Sequence, residues 1–171
     1  HRSFGTLSGE TDQPKTALIL PTGMPMSTLQ LRDATPDDIP VMLTLSRAGD
    51  ARGANTPPLH PATFSDPRYR SAFDEITADP SHRLIVAEID GEIIGTLQIS
   101  YIPGLPNLGM KRGMLENVHV RADHRGSGYG KAMVEWAIAQ CRQAGCGSVQ
   151  LTSNKVRSDA HRFYASLGFV A

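Results

Sequence analysis

Three glycines and an arginine lie within six residues of one another in the stretch VRADHRGSGYGKAM, residues 120–133. Glycine costs conformational entropy in ordered structure, so its repetition just where a helical pattern begins indicates that something approaches the backbone closely. The first turn of a helix carries N–H groups without intrahelical partners and a partial positive charge. Arg125, Gly126, Gly128 and Gly130 therefore predict a site for a phosphate or a diphosphate.

Two other phosphate-binding motifs fit this stretch less well. A P-loop requires Gly-Lys followed by Ser or Thr for magnesium, whereas Lys131 is followed by Ala132. A dinucleotide fingerprint requires G-x-G-x-x-G early in a domain, whereas GSGYG has the spacing G-x-G-x-G and comes late in the chain. A tight turn that binds nothing is the remaining alternative, and the glycines by themselves leave it open.

Hydrophobic periodicity predicts the elements that must position this turn. A strand over 114–120 leads into it, and a helix over 127–144 follows it. Hairpin-linked strands followed by alternating strands and helices indicate an α/β (α+β) domain whose later units are parallel crossovers. The other predicted elements are strands over 27–34, 82–90, 93–102 and 148–154, helices over 35–49, 68–79 and 158–167, loops over 50–67 and 103–113, and the start of a strand at 169–171.

Composition narrows the class of protein. The 171 residues are 40% hydrophobic and 20% charged, as in a soluble single domain. Seventeen basic and seventeen acidic residues cancel, which argues against a general nucleic-acid binder or a polybasic membrane anchor. Cys141 and Cys146 make neither a disulfide framework nor a metal cluster, so we expect free thiols, a cytoplasmic location and no metal. Residues 1–26 lack periodicity and are expected to be a tail outside the core.

The stretch around the glycines resembles the acetyl-CoA motif of the GNAT superfamily of N-acetyltransferases. That motif has the form R/Q-x-x-G-x-G/A, and Arg125, Gly128 and Gly130 match it. The resemblance implies that acetyl-CoA is the cosubstrate and that its pyrophosphate is the anion bound at the start of the helix.

A second motif strengthens the resemblance. In the superfamily a strand ends near an asparagine and a helix with the pattern A-x-x-F-Y-x-x-x-G-F follows. Here LTSN (151–154) and AHRFYASLGF (160–169) are similar to these. The resemblance covers about residues 28–171, and its C-terminal part is similar to small bacterial members of the aminoalkylphosphonate N-acetyltransferase-like kind.

The family fold implied by this resemblance is a three-layer αβα sandwich around a mixed, mostly antiparallel sheet. Its last parallel pair of strands splays apart, and the pantetheine arm of the cosubstrate lies in the gap. The chain ends at Ala171, directly after Gly-Phe, where family members usually continue into another strand. We therefore expect an N-acetyltransferase domain over 27–171 that is truncated at its C-terminus, with one sheet edge exposed.

The resemblance also assigns cofactor contacts residue by residue. Backbone groups over 117–120 would bind the pantetheine amides, and the Val118 N–H would polarise the thioester carbonyl. Backbone groups over 125–130 would hold the pyrophosphate. The complete set of expected cofactor-binding residues is Asn117, Val118, His119, Val120, Arg125, Gly126, Ser127, Gly128, Tyr129, Gly130, Lys131, Asn154 and Tyr164.

Tyr164 occupies the position of the family tyrosine that resembles a general acid, which would protonate the leaving CoA thiolate. Packing against Phe163 and Leu167 is the alternative role of this side chain. Asn154 would contact the pantetheine arm or orient Tyr164, or else cap the following loop.

The acceptor amine arrives protonated at neutral pH, so a base is required. Glu116 is the candidate, because it precedes Val118 by two residues and is therefore expected on the same face of the strand. A surface ion pair with Lys111 or Arg112 is its alternative role. His119 is expected on the face opposite Glu116.

Three functions remain compatible with the sequence. The first is an acetyl-CoA-dependent N-acetyltransferase that acts on a primary amine of a small molecule or peptide by direct attack. The second is a non-catalytic acyl-CoA-binding or regulatory module of the same fold. The third is a structural αβ domain whose glycine turn binds nothing. A homodimer is an expectation taken from the resembled family.

Overall fold

The computed structural model describes residues 28–49, 57, 59–152 and 158–170. Within these residues five strands form one mixed sheet in the order β1-β2-β3-β4-β5. Neighbouring strands are antiparallel from β1 to β4, whereas β4 and β5 are parallel. The strands are β1 Gln30–Asp33, β2 His82–Ile89, β3 Glu92–Ile102, β4 Lys111–Val120 and β5 Cys146–Leu151.

Helices cover both faces of the sheet in this part of the chain. Helices α1 and α2 pack on one face, and α4 packs on the other with α5 beside it. A single turn, α3, interrupts the connection between β3 and β4. The three-layer mixed architecture expected for the domain is confirmed. The helices are α1 Ile39–Gly49, α2 Pro67–Ala78, α3 Pro106–Gly109, α4 Tyr129–Gln143 and α5 Ser158–Ser166.

The hairpin β2–β3 forms the centre of the core. Its tight turn is Asp90-Gly91, and both residues have positive φ (50° and 82°), the geometry that Asp-Gly supplies most readily. Ile85, Val86 and Ala87 are fully buried in succession, as expected for a strand covered on both faces.

Helix α4 is attached to the sheet through four side chains with no exposed surface, Met133, Val134, Ala137 and Cys141. Their spacing of one, three and four residues gives a single apolar stripe along the helix. This stripe fixes the position and direction of α4, and therefore the position of its first turn.

The chain enters α1 through an ion pair at the edge of the sheet. Asp38 lies in a 3₁₀ turn (Pro36–Asp38) before the helix and is only 6% exposed. Its carboxylate accepts from both Nη atoms of Arg32 on β1 (2.7 and 3.2 Å) and from the backbone N–H of Thr35 (2.7 Å). Burial raises the pKa of Asp38, but these hydrogen bonds outweigh it and leave the pKa below its usual value.

Several element boundaries differ from the sequence prediction. Strand β4 begins at Lys111, three residues early, because Lys111 pairs with β5 and the next two residues pair with both β3 and β5. Strand β5 begins at Cys146 for the same reason. Phe169 and Val170 form no strand; Phe169 is buried against the ring of Tyr164, 5.6 Å between centroids. The predicted tail over 1–26 lies outside the described residues.

Candidate active site

Strands β4 and β5 separate part-way along their length. Their parallel pairing runs from Lys111↔Cys146 to Leu115↔Leu151 and then stops. Residues 116–120 of β4 remain paired with β3. The backbone groups of this segment that point away from β3 therefore have no partner from β5 over the part of the chain that the structure describes.

A cleft of about 460 Å³ continues from this gap to the start of α4. Strand β4 forms one wall, α5 forms another, and the glycine turn closes the end. We call this space the β4–α5 cleft. It is lined by Val118, Val120, Arg125, Gly126, Gly128, Gly130, Lys131, Asp159, Ala160, Phe163, Tyr164 and Ser166.

The glycine turn presents bare backbone to the cleft. Gly128 is the N-cap of α4 with φ of 86° and, as a glycine, has no side chain that could cap the N–H groups of the first turn. A left-handed residue with a Cβ would be strained at this position. The N–H groups at the start of α4 thus remain available to an anion, and Arg125 and Lys131 add positive charge beside them.

Arg125 has a second role that the sequence does not predict. Its Nε donates to the backbone carbonyl of Val120 (2.9 Å). The guanidinium therefore ties the turn to the end of β4, and that carbonyl is already used by the protein. The Val120 oxygen, one of the expected pantetheine contacts, therefore already accepts a hydrogen bond within the protein.

A charged network that local sequence patterns do not predict anchors the same turn. Arg121 pairs with Glu92 at the start of β3 and with Asp123 (2.7 Å), and Asp123 also contacts His124 Nδ1 (2.9 Å). The hydrogen bonds from Arg121 and then from His124 lower the pKa of Asp123 to about 2. His124 in turn lies against the ring of Tyr129, 5.9 Å between centroids.

Strand β4 contains a bulge just before the cleft. Gln98 pairs with Glu116 and Thr96 pairs with His119, so one residue of β3 lies opposite two residues of β4. The first of these two is Asn117, whose φ of 52° is left-handed. A bulge of this kind inserts one extra residue and redirects the side chains that follow it.

The bulge contradicts two sequence predictions about which side chains share a face of β4. Gly113 packs on Cys141 and therefore lies on the face of β4 that is turned toward α4. Because side chains alternate along a strand, Glu116, three residues later, lies on the opposite face, toward α1 and α2. Val118, by contrast, lines the β4–α5 cleft. His119 lies against α1, where a Cβ on Gly49 would collide with its ring. Glu116 therefore shares its face with His119 and not with Val118.

These features match a known family. The sequence model described as "Acetyltransferase (GNAT) family" matches residues 54–169. The chain belongs to the GNAT acetyltransferase family. The N-acetyltransferase expected from the sequence is thereby confirmed at the level of the family.

Individual GNAT relatives agree with this assignment. The aminoalkylphosphonate N-acetyltransferase of Salmonella typhimurium is 30% identical over 101 residues, which are 59% of this chain and 65% of that protein. An uncharacterized N-acetyltransferase of Bacillus subtilis is 38% identical over 69 residues, 38% of this chain and 49% of that protein. The chain covers less than two thirds of the length of either relative.

Solved structures give the same fold. A transcriptional regulator from Bacillus halodurans is 36% identical and has a TM-score of 0.75, covering 84% of this chain and 94% of that one. A predicted acetyltransferase from Clostridium acetobutylicum, solved with acetyl-CoA, has a TM-score of 0.61 at 18% identity, covering 80% and 88%. At that identity the second structure supports the GNAT fold alone.

Within this GNAT domain, Tyr164 lies on the wall of the cleft and in the core at once. Its half-buried ring packs edge-on against Phe163 (5.0 Å between centroids) and Phe169 (5.6 Å). The packing role is therefore observed, whereas the general-acid role stays a prediction. Asn154, its expected partner, lies outside the described residues.

The thirteen expected cofactor residues of the GNAT motif are only partly brought together. Ser127 is exposed in the turn, and Tyr129 is half-buried beside His124, but neither lines the cleft. Asn117 and His119 lie on the other face of β4. The cleft wall collects the remaining described members, which are Val118, Val120, Arg125, Gly126, Gly128, Gly130, Lys131 and Tyr164.

Sequence reasoning missed the wall that α5 contributes to the cleft. Asp159, Ala160 and Phe163 line it at helical spacing. The sequence by itself indicates only a packing role for Phe163. The signal that could have found these residues is the spacing of three or four residues that joins Asp159 and Ala160 to Phe163 and Tyr164 on one helix face.

A second cavity lies on the opposite face, between α1, α2 and the sheet. Its volume is about 180 Å³, and Asn117 is its only contribution from β4 among the described residues. Glu116 is adjacent, as the cross-strand partner of Gln98 in the cavity floor. Glu116 forms no ion pair with any residue that the structure describes, so the alternative pairing with Lys111 or Arg112 is not found.

Two further properties of the described residues concern metal binding and membrane crossing. They contain no group of three or more His, Cys, Asp or Glu side chains placed to hold a metal ion. None of the helices within them combines the length and the apolar character needed to cross a membrane. Cys141 and Cys146 are free thiols, and burial is the main cause that raises the pKa of Cys141 to about 12.

Proposed function

We propose that this domain transfers the acetyl group of acetyl-CoA directly to a primary amine. The observation that carries the proposal is the continuity of the β4–α5 cleft. It joins the unpaired end of β4 to the uncapped first turn of α4 within one space of about 460 Å³. A long ligand with amide groups at one end and a diphosphate at the other fits such a space.

Acetyl-CoA would supply the thioester, and the residues of the chain would position and polarise it. N–H groups of the first turn of α4, with Arg125 and Lys131, would hold the pyrophosphate. Unpaired backbone groups of β4 would bind the pantetheine amides. The Val118 N–H, just after the bulge, would donate to the carbonyl oxygen where charge develops.

Two proton transfers are required, one at each face of β4. The Tyr164 hydroxyl, on the cleft wall, would give a proton to the departing sulfur. The Glu116 carboxylate, which lies beside the second cavity on the face away from the cleft, would take a proton from the acceptor ammonium, and the free amine would then attack the thioester carbonyl. His119 shares that face and is a second candidate base.

The first test is calorimetric titration of the purified chain with acetyl-CoA and with CoA. Binding in the micromolar range, followed by release of free thiol when a primary amine is added, is the expected result. A folded sample that binds neither compound would overturn the proposal.

A matched pair of glycine variants connects binding to the turn. Gly128 and Gly145 both have positive φ (86° and 77°) with no atom within 4 Å of an added Cβ, but they lie at opposite ends of α4. Gly128→Glu places a negative charge on the anion site, so affinity for acetyl-CoA should fall by at least about 100-fold. Gly145→Glu carries equal backbone strain and should leave that affinity unchanged; equal affinities in the two variants would contradict the assignment of the site.

A further inference from the structure

The cavity under α1 and α2 has an apolar and uncharged wall. Met42 of α1 and Tyr69, Ala72 and Phe73 of α2 are among the side chains that line it. None of the described residues that line it is Asp, Glu, Lys, Arg or His; Glu116 lies beside it, outside the lining. Transfer of a charged group into such surroundings without a partner is costly, so the wall selects against a charged occupant.

The floor of the cavity adds two carboxamides. Gln98 and Asn117 both line it, and neither side chain forms a hydrogen bond with another residue that the structure describes. A carboxamide can donate and accept at once. The floor can therefore bind a neutral polar group, such as an amine that has lost its proton, next to an apolar body.

The size of the cavity limits that body. Its volume is about 180 Å³, and an apolar cavity of about 150 Å³ is sufficient to hold a benzene ring. A single six-membered ring or a branched aliphatic group of similar volume therefore fits within it.

The bulge connects this cavity to the proposed reaction centre. Asn117 lines the cavity, and Val118, the next residue, lines the β4–α5 cleft on the other face. A group seated in the cavity is therefore one residue away from the N–H proposed to polarise the thioester. Glu116, on the other side of Asn117, faces the same side as the cavity.

We infer that the acceptor is a primary amine attached to an uncharged, ring-sized apolar group, and that this group occupies the cavity. The inference rests on the proposed acetyl transfer and adds the substrate class to it. It sets this chain apart from a relative named for aminoalkylphosphonates, because a phosphonate would enter a cavity with no cationic side chain among its described residues.

The test compares three amines with the unmodified chain: 2-phenylethylamine, 2-aminoethylphosphonate and ethanolamine. Thiol release from acetyl-CoA gives kcat/KM for each. Burial of the ring should favour 2-phenylethylamine over ethanolamine by about 30-fold, and the phosphonate should be the poorest acceptor. Equal or better acetylation of the phosphonate would overturn the inference.

A variant pair locates the effect in the cavity. Ala72→Trp fills the space from the exposed side of α2, and Ala78→Trp is a matched exposed position on the same helix outside the cavity. Ala72→Trp should raise KM for 2-phenylethylamine at least about 10-fold, with little change for ethanolamine and an unchanged affinity for acetyl-CoA. Ala78→Trp should change none of these values; an unaltered KM in a folded Ala72→Trp protein would place the acceptor elsewhere.

Different results would overturn the acetyl-transfer proposal and the acceptor class. A chain that does not bind acetyl-CoA, or that transfers acetyl to none of the three amines, overturns the acetyl-transfer proposal and the acceptor class with it. A chain that acetylates charged or small polar amines in preference to the apolar amine overturns the acceptor class alone.

Discussion

At the scale of single residues, the hydroxyl of Tyr164 is the group with the sharpest test. Its ring packs against Phe163 and Phe169, so Tyr164→Phe retains the packing and removes only the proton donor. If the hydroxyl protonates the leaving sulfur, kcat should fall about 100-fold while KM for acetyl-CoA stays constant.

The control for this variant is Tyr101→Phe. Tyr101 is also half-buried, but it lies on β3 outside the cleft. The Tyr101→Phe protein should retain full activity. A Tyr164→Phe protein with unchanged kcat and unchanged melting temperature would leave Tyr164 with a packing role only.

Glu116 is tested through pH at the same scale. A base is required only while the acceptor is an ammonium ion, so Glu116→Gln should lower kcat/KM about 100-fold at pH 7. The deficit should shrink as the pH rises toward the pKa of the acceptor amine, since free amine then forms without a base. The control is Glu75→Gln, because Glu75 is an exposed carboxylate on α2; this variant should show the same dependence of kcat/KM on pH as the unmodified protein. A Glu116→Gln deficit that is constant with pH would exclude Glu116 as the base and leave His119 as the candidate.

At the scale of elements, the bulge in β4 decides which groups face which cavity. Asn117 has a φ of 52°, and Asn and Gly tolerate the left-handed region far better than a β-branched residue. Asn117→Val should therefore lower the free energy of unfolding by about 2 kcal/mol relative to Asn117→Gly. Urea midpoints of the two variants give this difference, and equal midpoints would contradict the left-handed assignment.

A second element-scale relation concerns the turn between β4 and α4. Arg121, Asp123 and Glu92 tie the turn to the β2–β3 hairpin, and Arg125 ties it to the end of β4. The proposed anion site is thus built from backbone that the protein's own contacts hold on two sides. Preorganised donors of this kind bind at lower entropic cost than a flexible loop.

At the scale of the whole molecule, acid stability should depend on Asp38. Its folded pKa is lowered, so its contribution is present above the unfolded pKa of about 3.9 and is lost as the pH falls through the lower folded pKa. Asp38→Asn should cost about 2 kcal/mol of unfolding free energy at pH 7. The difference from the unmodified protein should decrease steadily below pH 4.

The control for Asp38 is its neighbour Asp37, which is exposed in the same turn. Asp37→Asn should change the free energy of unfolding by less than about 0.5 kcal/mol at any pH. An Asp38→Asn deficit that persists unchanged at pH 2 would show that packing of the side chain, and not its charge, stabilises the start of α1.

Local patterns in the sequence determined most of the elements and the glycine turn that we propose as the anion site. The Asp90-Gly91 turn, the apolar run of β2 and the stripe from Met133 to Cys141 are short-range features of the sequence, and each lies in the element that its local pattern favours. The glycine turn is predictable for the same reason, because positive φ at Gly128 and an uncapped helix start are local properties. Element boundaries such as Lys111 are not, because pairing with β5 extends the strand beyond its own pattern.

Tertiary structure alone decided what lies on each face of β4. The period-two pattern places Glu116 with Val118, but the bulge opposite β3 adds one residue and reverses the alternation. Three other features likewise depend on residues far apart in the chain or on the path of the backbone. They are the hydrogen bond from Arg125 to Val120, the Arg121 network and the cavity under α1 and α2. Pairing between residues that are distant in the chain sets the register between strands, and short-range sequence patterns do not determine that register.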